Sequence, residues 1–207
     1  HGKLVDVIRI AVADDQTLVR GALAALLDME DDLQVVGSCG RGDEVVDMVQ
    51  RTNPDVCLLD IEMPGMDGIT VAEHLASTAP TCRVLIVTTF GRPGYLRRAM
   101  DAGVSGFVVK DTPAEQLAKM VRTVHAGQRV IDPDLAAESL MQGHNPLSER
   151  EQQVLRLVEG GASMTAIASE LFLSVGTVRN HVSSAIHKTG AANRTGAAVT
   201  ARGRGWL

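Results

Sequence analysis

The chain has 207 residues, enough for one or two domains, with 45% hydrophobic and 22% charged residues; these proportions exclude wholesale disorder. No apolar run reaches the roughly 18 residues that a membrane span needs, and five aromatics (2%) argue against a binding face built on stacked rings, as in many single-strand nucleic-acid binders. The net charge of −5 is uneven, because residues 146–207 carry seven Lys/Arg against four Glu (+3) while residues 1–145 carry 13 bases against 21 acids (−8). An acidic front with a basic tail is expected when only the tail meets a polyanion, although chance also produces an imbalance of this size.

Cys39, Cys57 and Cys82 lie 18 and 25 positions apart, which is neither a metal-ligand spacing nor a disulfide framework, and the odd count fits a reducing compartment. The chain opens on His1-Gly2-Lys3 without a charged-then-apolar leader. Residues 1–6 are therefore set aside, and a cytoplasmic setting without membrane contact is expected.

In chain order, Val7–Ala13 reads as a strand, and Val19, Leu23, Leu26 and Leu27 as one face of a helix. Leu33–Cys39 is a second strand, followed by a helix over Gly42–Thr52. Asp55–Asp60 (DVCLLD) is a continuous buried strand closed by an acid, then a Pro/Gly loop and a helix from Ile69. Arg83–Thr88 and Gly106–Val109 repeat the strand pattern, each followed by a helix, with Pro113 suited to the first turn of the last one. Five such units predict an α/β domain over 7–126 with a five-stranded, doubly wound parallel sheet covered on both faces. Residues 127–145 read as a linker with a short helix over Leu135–Met141. From residue 146 to 207 the segments are helical, which predicts a small all-α domain.

In an open parallel sheet the functional crevice lies beyond the carboxyl ends of the strands. The residues there are Asp14-Asp15, Asp60, Thr88 and Lys110. Singly, each has a plain explanation: Asp14 or Asp15 as a helix cap, Asp60 as a turn residue, Lys110 as a solvated surface lysine. Jointly, the acids would repel one another and need a cation. All-oxygen ligands in a small open crevice suit Mg²⁺. A carboxylate beside such an ion is a candidate nucleophile toward phosphorus, with Thr88 as a hydrogen-bond donor and Lys110 as the charge opposite the metal.

This set resembles the receiver domain of two-component response regulators. The resemblance rests on Asp14-Asp15, Asp60 at the end of DVCLLD, the loop Met63–Gly68 (MPGMDG), Thr88 after RVLIV and Lys110 in GFVVK. It implies that Asp60 is the phosphoacceptor, that Asp15, Asp60 and the Glu62 carbonyl bind Mg²⁺ directly and that Asp14 acts through a water. It also implies that Thr88 and Lys110 bind the phosphoryl group and that Phe107 is the switch aromatic, with plain core packing as the alternative for Phe107. Thr89 stands where many relatives have a smaller residue. An aspartyl phosphatase of the Asp-x-Asp kind is the rival enzyme, but here the second position is Glu62 and the motif lies on the third strand.

In the tail, Ser148 and Glu151 fit a capping box for a helix that runs to Glu159 and ends at Gly160-Gly161. Ser163 can cap a second helix, and Ser174 a third that runs to Thr189 and stops at Gly190. At about 100° per residue, Val178, Val182 and Ile186 fall within one narrow arc, while Arg179, Ser183, His187 and Asn180 lie on the far side without an acid. Capped helices joined by a short turn, the second with such a face, describe a helix-turn-helix, and Arg, Asn and Ser suit base edges and phosphates. The plainer alternative is a small bundle with a solvated face. His181 and His187, six apart, do not make a helical metal pair.

Residues 147–207 are similar to the DNA-binding domain of the NarL/FixJ/LuxR group, through LSEREQQVLRLVEGGASMTAIASEL and LSVGTVRNHVSSAIHKTGAANRTGAA. By that resemblance Arg179, Asn180 and Ser183 meet bases, and Thr177 and Lys188 sit near phosphates; Ser183 and Ser184 replace the bases frequent in relatives. The resemblance as a whole implies a response regulator. A sensor histidine kinase phosphorylates Asp60, the chain forms a homodimer, and two recognition helices read double-stranded DNA to control transcription. Its own catalysis is then limited to self-phosphorylation and autodephosphorylation. Dimerisation through the first and fifth helices is expected from relatives, with Ala22 and Ala118 as small outer residues. The alternatives are a phosphorylation-independent pseudo-receiver and a receiver whose tail binds protein. Phe90–Tyr95 (FGRPGY) resembles a subset of these regulators.

Overall fold

The computed structural model describes residues 7–89, 93–141 and 145–207; residues 1–6, Phe90–Arg92 of the FGRPGY segment and residues 142–144 lie outside them. The chain divides into two compact units, the main break falling after Ala137. In chain order the elements up to that break are β1 (Ile8–Ala13), α1 (Thr17–Leu27), β2 (Leu33–Cys39), a 3-10 turn (Gly42–Glu44) into α2 (Val45–Thr52), β3 (Val56–Leu59), α3 (Gly68–Thr78), β4 (Arg83–Thr88), α4 (Pro93–Asp101), β5 (Gly106–Val109), α5 (Ala114–His125), β6 (Val130–Ile131) and α6 (Pro133–Met141), within which the break falls.

All strand pairs are parallel, in the order β2-β1-β3-β4-β5-β6. The sheet is doubly wound as expected but has six strands instead of five. The extra strand comes from the segment read as a linker, where Val130 and Ile131 pair with Gly106 and Phe107. Two residues are too few to show a strand period. Pro113 caps α5 from just outside it instead of occupying its first turn.

Successive strand residues point to opposite faces. Ile8, Ile10, Val12, Val56, Leu58, Leu85, Val87 and Val108 form one cluster with Leu27 of α1 and Leu117, Val121 and Val124 of α5. The alternate residues, among them Ala11, Cys57, Leu59, Ile86 and Phe107, are buried on the other side, where α2 and α3 bury Val45, Met48, Val49, Ile69, Ala72 and Leu75. One expectation fails here: Ala118 is no outer residue but belongs to the α1–α5 cluster. It flanks the arc of Leu117, Val121 and Val124, where a methyl lets the helix approach the sheet. Ala22 is exposed as expected.

The second unit contains α7 (Glu149–Glu159), α8 (Met164–Glu170), α9 (Val175–Thr189) and α10 (Arg194–Gly203). Ser148, Ser163 and Ser174 cap α7, α8 and α9 by accepting backbone N–H groups, and Gly190 closes α9 at φ +69. Val154, Leu155, Ile167, Val178, Val182, Ala185, Ala197, Ala201, Trp206 and Leu207 make the core. The sequence reading did not single out α10. Its buried face is Ala197, Ala198 and Ala201, small residues that leave a faint apolar period; its cap, Asn193, accepts from Gly196 N–H at 2.8 Å.

Candidate functional site

Strand register creates the acidic site. Ala13 pairs with Leu59, so the next residues, Asp14 and Asp60, leave adjacent strand ends at the point where the strand order reverses, the expected binding position in such sheets. The Asp60 N–H donates to the Ala13 carbonyl at 2.9 Å. On the other side, Thr88 pairs with Val109, and Lys110 N–H donates to the Thr88 carbonyl at 2.8 Å. Asp14, Asp60 and Thr88 are buried and Asp15 is exposed at the rim.

Lys110 joins the two buried acids. Its Nζ lies 2.7 Å from Asp14 Oδ2 and 2.8 Å from Asp60 Oδ2. The remaining oxygens accept backbone N–H groups, Asp14 Oδ1 from Gln16 and Asp60 Oδ1 from Ile61, both at 2.8 Å. Asp14 therefore bonds the backbone at the start of α1, while the N-cap position itself is Gln16, without a side-chain cap bond. Burial pushes the Asp60 carboxyl above its ordinary value, and Lys110 only partly opposes this. Burial works against the Lys110 ammonium, but the two carboxylates outweigh it and hold its pKa up. Two anions sharing one cation leave the pocket short of positive charge.

Asp14, Asp15 and Asp60 each offer one carboxylate oxygen, and these oxygens lie within 4.8 Å of one another. The set consists of hard oxygen donors, which suits Mg²⁺. Glu62 is exposed on the loop after β3, Thr89 is exposed after Thr88, and Phe107 is fully buried on β5.

The loop after Asp60 is tied back to the strand end and to α3 by backbone and side-chain hydrogen bonds. Gly68 N–H donates to the Ile61 carbonyl at 2.8 Å, and a Cβ at 68 would stand 2.0 Å from the Asp60 carbonyl oxygen, so only glycine fits. Asp67 caps α3, accepting from Ile69 and Thr70 N–H at 3.0 and 3.2 Å. Sequence reasoning missed Arg20, which reaches back from α1 and donates to the Asp14 carbonyl at 2.5 Å. Its signal was weak: a polar residue six positions beyond Asp14, on a helix otherwise read for its apolar face.

In the second unit α9 presents Arg179, Asn180, Ser183 and His187 to solvent and buries Val178, Val182 and Ala185. The predicted outer face is thus present. Between α8 and α9 the chain turns at Phe172, φ +55 and 94% exposed. Thr177 is half-buried, its hydroxyl 2.8 Å from the capping Ser174 Oγ. Lys188 has a partner within the domain: its Nζ lies 2.8 Å from Glu151 Oε2.

Residues 10–122 match the response regulator receiver domain family, and residues 145–201 the luxR family of bacterial regulatory proteins. The chain is 45% identical over 200 residues to the transcriptional regulatory protein DesR of Bacillus subtilis, covering 97% of this chain and 99% of that one. It is 38% identical over 202 residues to the response regulator RamR of Streptomyces coelicolor, covering 97% and 98%. The crystal structure of ChrA, response regulator of a heme-sensing two-component system, is similar at a TM-score of 0.58 and 35% identity over 98% of this chain and 100% of that one. The strand-end carboxylates, the six-stranded parallel sheet and the helical tail are therefore those of a transcription regulator, and the chain belongs to the two-component response regulators with a receiver domain followed by a LuxR-type helix-turn-helix DNA-binding domain.

Proposed function

We propose that this protein is switched by phosphorylation of Asp60, the phosphoryl group coming from a sensor histidine kinase in the cytoplasm. The observation that carries the reading is the buried Asp14–Lys110–Asp60 cluster with Asp15 at its rim. Asp14, Asp15, Asp60 and the Glu62 backbone carbonyl would hold Mg²⁺, which when bound neutralises the acids and draws charge from phosphoryl oxygens. A carboxylate oxygen of Asp60 forms the new bond to phosphorus; the donor's bond to phosphorus breaks and the electron pair leaves with the donor. Lys110 and the Thr88 hydroxyl then stand at adjacent strand ends to hold phosphoryl oxygens. The chain's own chemistry is confined to acquiring and losing this group.

Dimerisation follows on this reading through α1. Leu18 (86% exposed), Leu26 (45%) and, just beyond the helix, Met29 (79%) turn outward with Ala22, spaced as one helical stripe. A contiguous apolar stripe marks a contact surface more often than scattered apolar residues do. The dimer presents two copies of α9 to double-stranded DNA, with Arg179, Asn180 and Ser183 toward bases and the Ser174–Thr177 end toward phosphate.

The test combines Mg²⁺ with a small-molecule phosphodonor and follows phosphate incorporation and solution mass together. Wild type is expected to take up acid-stable, base-labile label and to become dimeric. Asp60→Ala should take up none, and Leu18→Glu should be labelled yet remain monomeric. A wild type that takes up no label overturns the phosphorylation switch; a labelled but monomeric wild type overturns the dimer step alone.

A further inference from the structure

The second unit contains an ion pair between a buried carboxylate and a lysine about a third exposed (34%) that the phosphorylation switch does not use. Glu151 opens α7 and is only 4% exposed, whereas a capping-box glutamate needs only to reach one backbone N–H. That bond is present, Ser148 N–H to Oε2 at 2.7 Å, but the carboxylate does more. Ser184 Oγ donates to Oε1 at 2.6 Å, and Lys188 Nζ donates to Oε1 at 3.0 Å and Oε2 at 2.8 Å. Both oxygens are taken, and two of their partners belong to α9, the helix proposed to enter DNA.

Ser184 and Lys188 are four apart and therefore on one line along α9, about 40° from each other around its axis. Asn180 is four before Ser184 and continues that line toward the exposed face. Rotating α9 by one residue, about 100°, would strip Glu151 of both partners, and a buried carboxylate without partners is strongly unfavourable. The charge of Lys188 is meanwhile paired with Glu151 at the surface of the domain. Release of DNA counterions depends on cations that meet phosphate, and Lys188 is committed elsewhere.

We propose that Glu151 is a positioning residue of the recognition helix: through Ser184 and Lys188 it fixes the rotation of α9 that presents Arg179, Asn180 and Ser183, and Lys188 serves this anchor instead of a DNA phosphate. This rests on the DNA-reading role of α9 proposed above.

The probes are the duplex most enriched by wild-type full chain from a randomised pool and a random-sequence duplex, titrated over a range of salt concentrations. Variants are Glu151→Gln, Lys188→Met, the double variant and the milder Ser184→Ala, each checked for folding by the fluorescence of buried Trp206. Glu151→Gln and Lys188→Met should each lower the ratio of selected to random affinity about tenfold, the scale of one misplaced base contact. Ser184→Ala should lower it less, and the double variant no more than the worse single one. The slope of log affinity against log salt should remain that of wild type. The proposal is overturned if Lys188→Met reduces that slope by about one, the signature of a lost phosphate contact, or if folded Ser184→Ala and Glu151→Gln keep the wild-type ratio. A Glu151→Gln chain that fails to fold leaves the decision to Ser184→Ala and Lys188→Met. Failure of wild type to enrich any sequence removes the DNA-reading proposal itself, and this one with it, a result distinct from the others.

Discussion

The two units each bury carboxylate against lysine, with opposite electrostatic balance. In the receiver, Asp14 and Asp60 share Lys110, and burial leaves the Asp60 carboxyl above its ordinary value. In the helical domain burial also works against Glu151, but Lys188, Ser184 and the Ser148 N–H outweigh it and hold its pKa down to about 2. A buried pair stabilises only when every lone pair and charge is answered. Glu151 meets that condition and acts as a structural tie. The receiver cluster does not meet it, because two carboxylates share one ammonium, and this undercompensation is what the proposed binding of a further cation and phosphorylation of Asp60 would use. Similar residue types thus make a compensated pair in one domain and an undercompensated cluster in the other.

The largest expected effect comes from cutting the tie. Glu151→Ala removes the capping box and strands Lys188, and should cost the helical domain about 2–4 kcal/mol, toward the lower part of the range for broken buried pairs because Lys188 is partly solvated. Trp206, the single tryptophan, is buried in this domain and reports its denaturant midpoint. A loss under about 0.5 kcal/mol, the size of an ordinary surface substitution, would show the tie to be dispensable.

Acid should separate the two clusters by sign. The Glu151 carboxyl is depressed in the folded state, so its contribution is complete above the ordinary carboxylate value and disappears as pH falls from there through about 2. The Asp60 carboxyl is raised, so its ionisation costs stability: the favourable protonated state holds below the ordinary value and is lost as pH rises through the folded one. In metal-free buffer, lowering the pH from 6 to 3 should therefore weaken the Trp206-reported transition. Over the same range Asp60→Asn should lose its stability advantage over wild type, read from hydrogen exchange of β1 and β3 amides. A constant advantage would remove the electrostatic asymmetry.

The sequence made the receiver site legible because its chemistry sits at strand ends, and strand ends are set by short apolar runs with clear limits. Arg83–Thr88 and Gly106–Val109 have their expected bounds, and parallel register then brings Asp14 beside Asp60 without further information. The serine caps and Gly190 were equally local and equally readable. What stayed hidden depends on contacts between distant segments. Ala118 looks like an outer residue until α5 is laid against α1. That Lys188 has a carboxylate partner is invisible until Glu151, 37 positions away, is found against it. Ile131 reads as linker until Phe107 pairs with it. Local pattern gives elements and caps; the partner of a charged side chain is tertiary information.

A smaller effect tests the undercompensated side at neutral pH. Asp60→Asn removes one of the two anions that compete for Lys110 while Asp14 still pairs with it. Receiver stability in metal-free buffer should rise, by up to about 1 kcal/mol, the net scale of a single hydrogen-bonded contact, although phosphate uptake is lost. Destabilisation by a similar amount would make the Asp60–Lys110 pair a structural tie of the Glu151 kind and erase the contrast.

The smallest effect on stability belongs to the exposed acid, Asp15. It makes no ion pair among the described residues, so Asp15→Asn should leave metal-free stability within about 0.5 kcal/mol of wild type. Its role on the proposed reading appears only with Mg²⁺. A ligand that binds only the folded state stabilises it by about 2.7 kcal/mol at a hundred times its dissociation constant. Wild-type receiver should show a gain of this kind as Mg²⁺ is raised, and Asp15→Asn should lose most of it at the same concentrations. The other domain supplies the control, since Mg²⁺ should not move the Trp206-reported transition: among the described residues its buried acid, Glu151, already has its cation. If wild type and Asp15→Asn gain equally, the cation is not held by the strand-end carboxylates, and the excess negative charge of the receiver pocket must be answered by some other group.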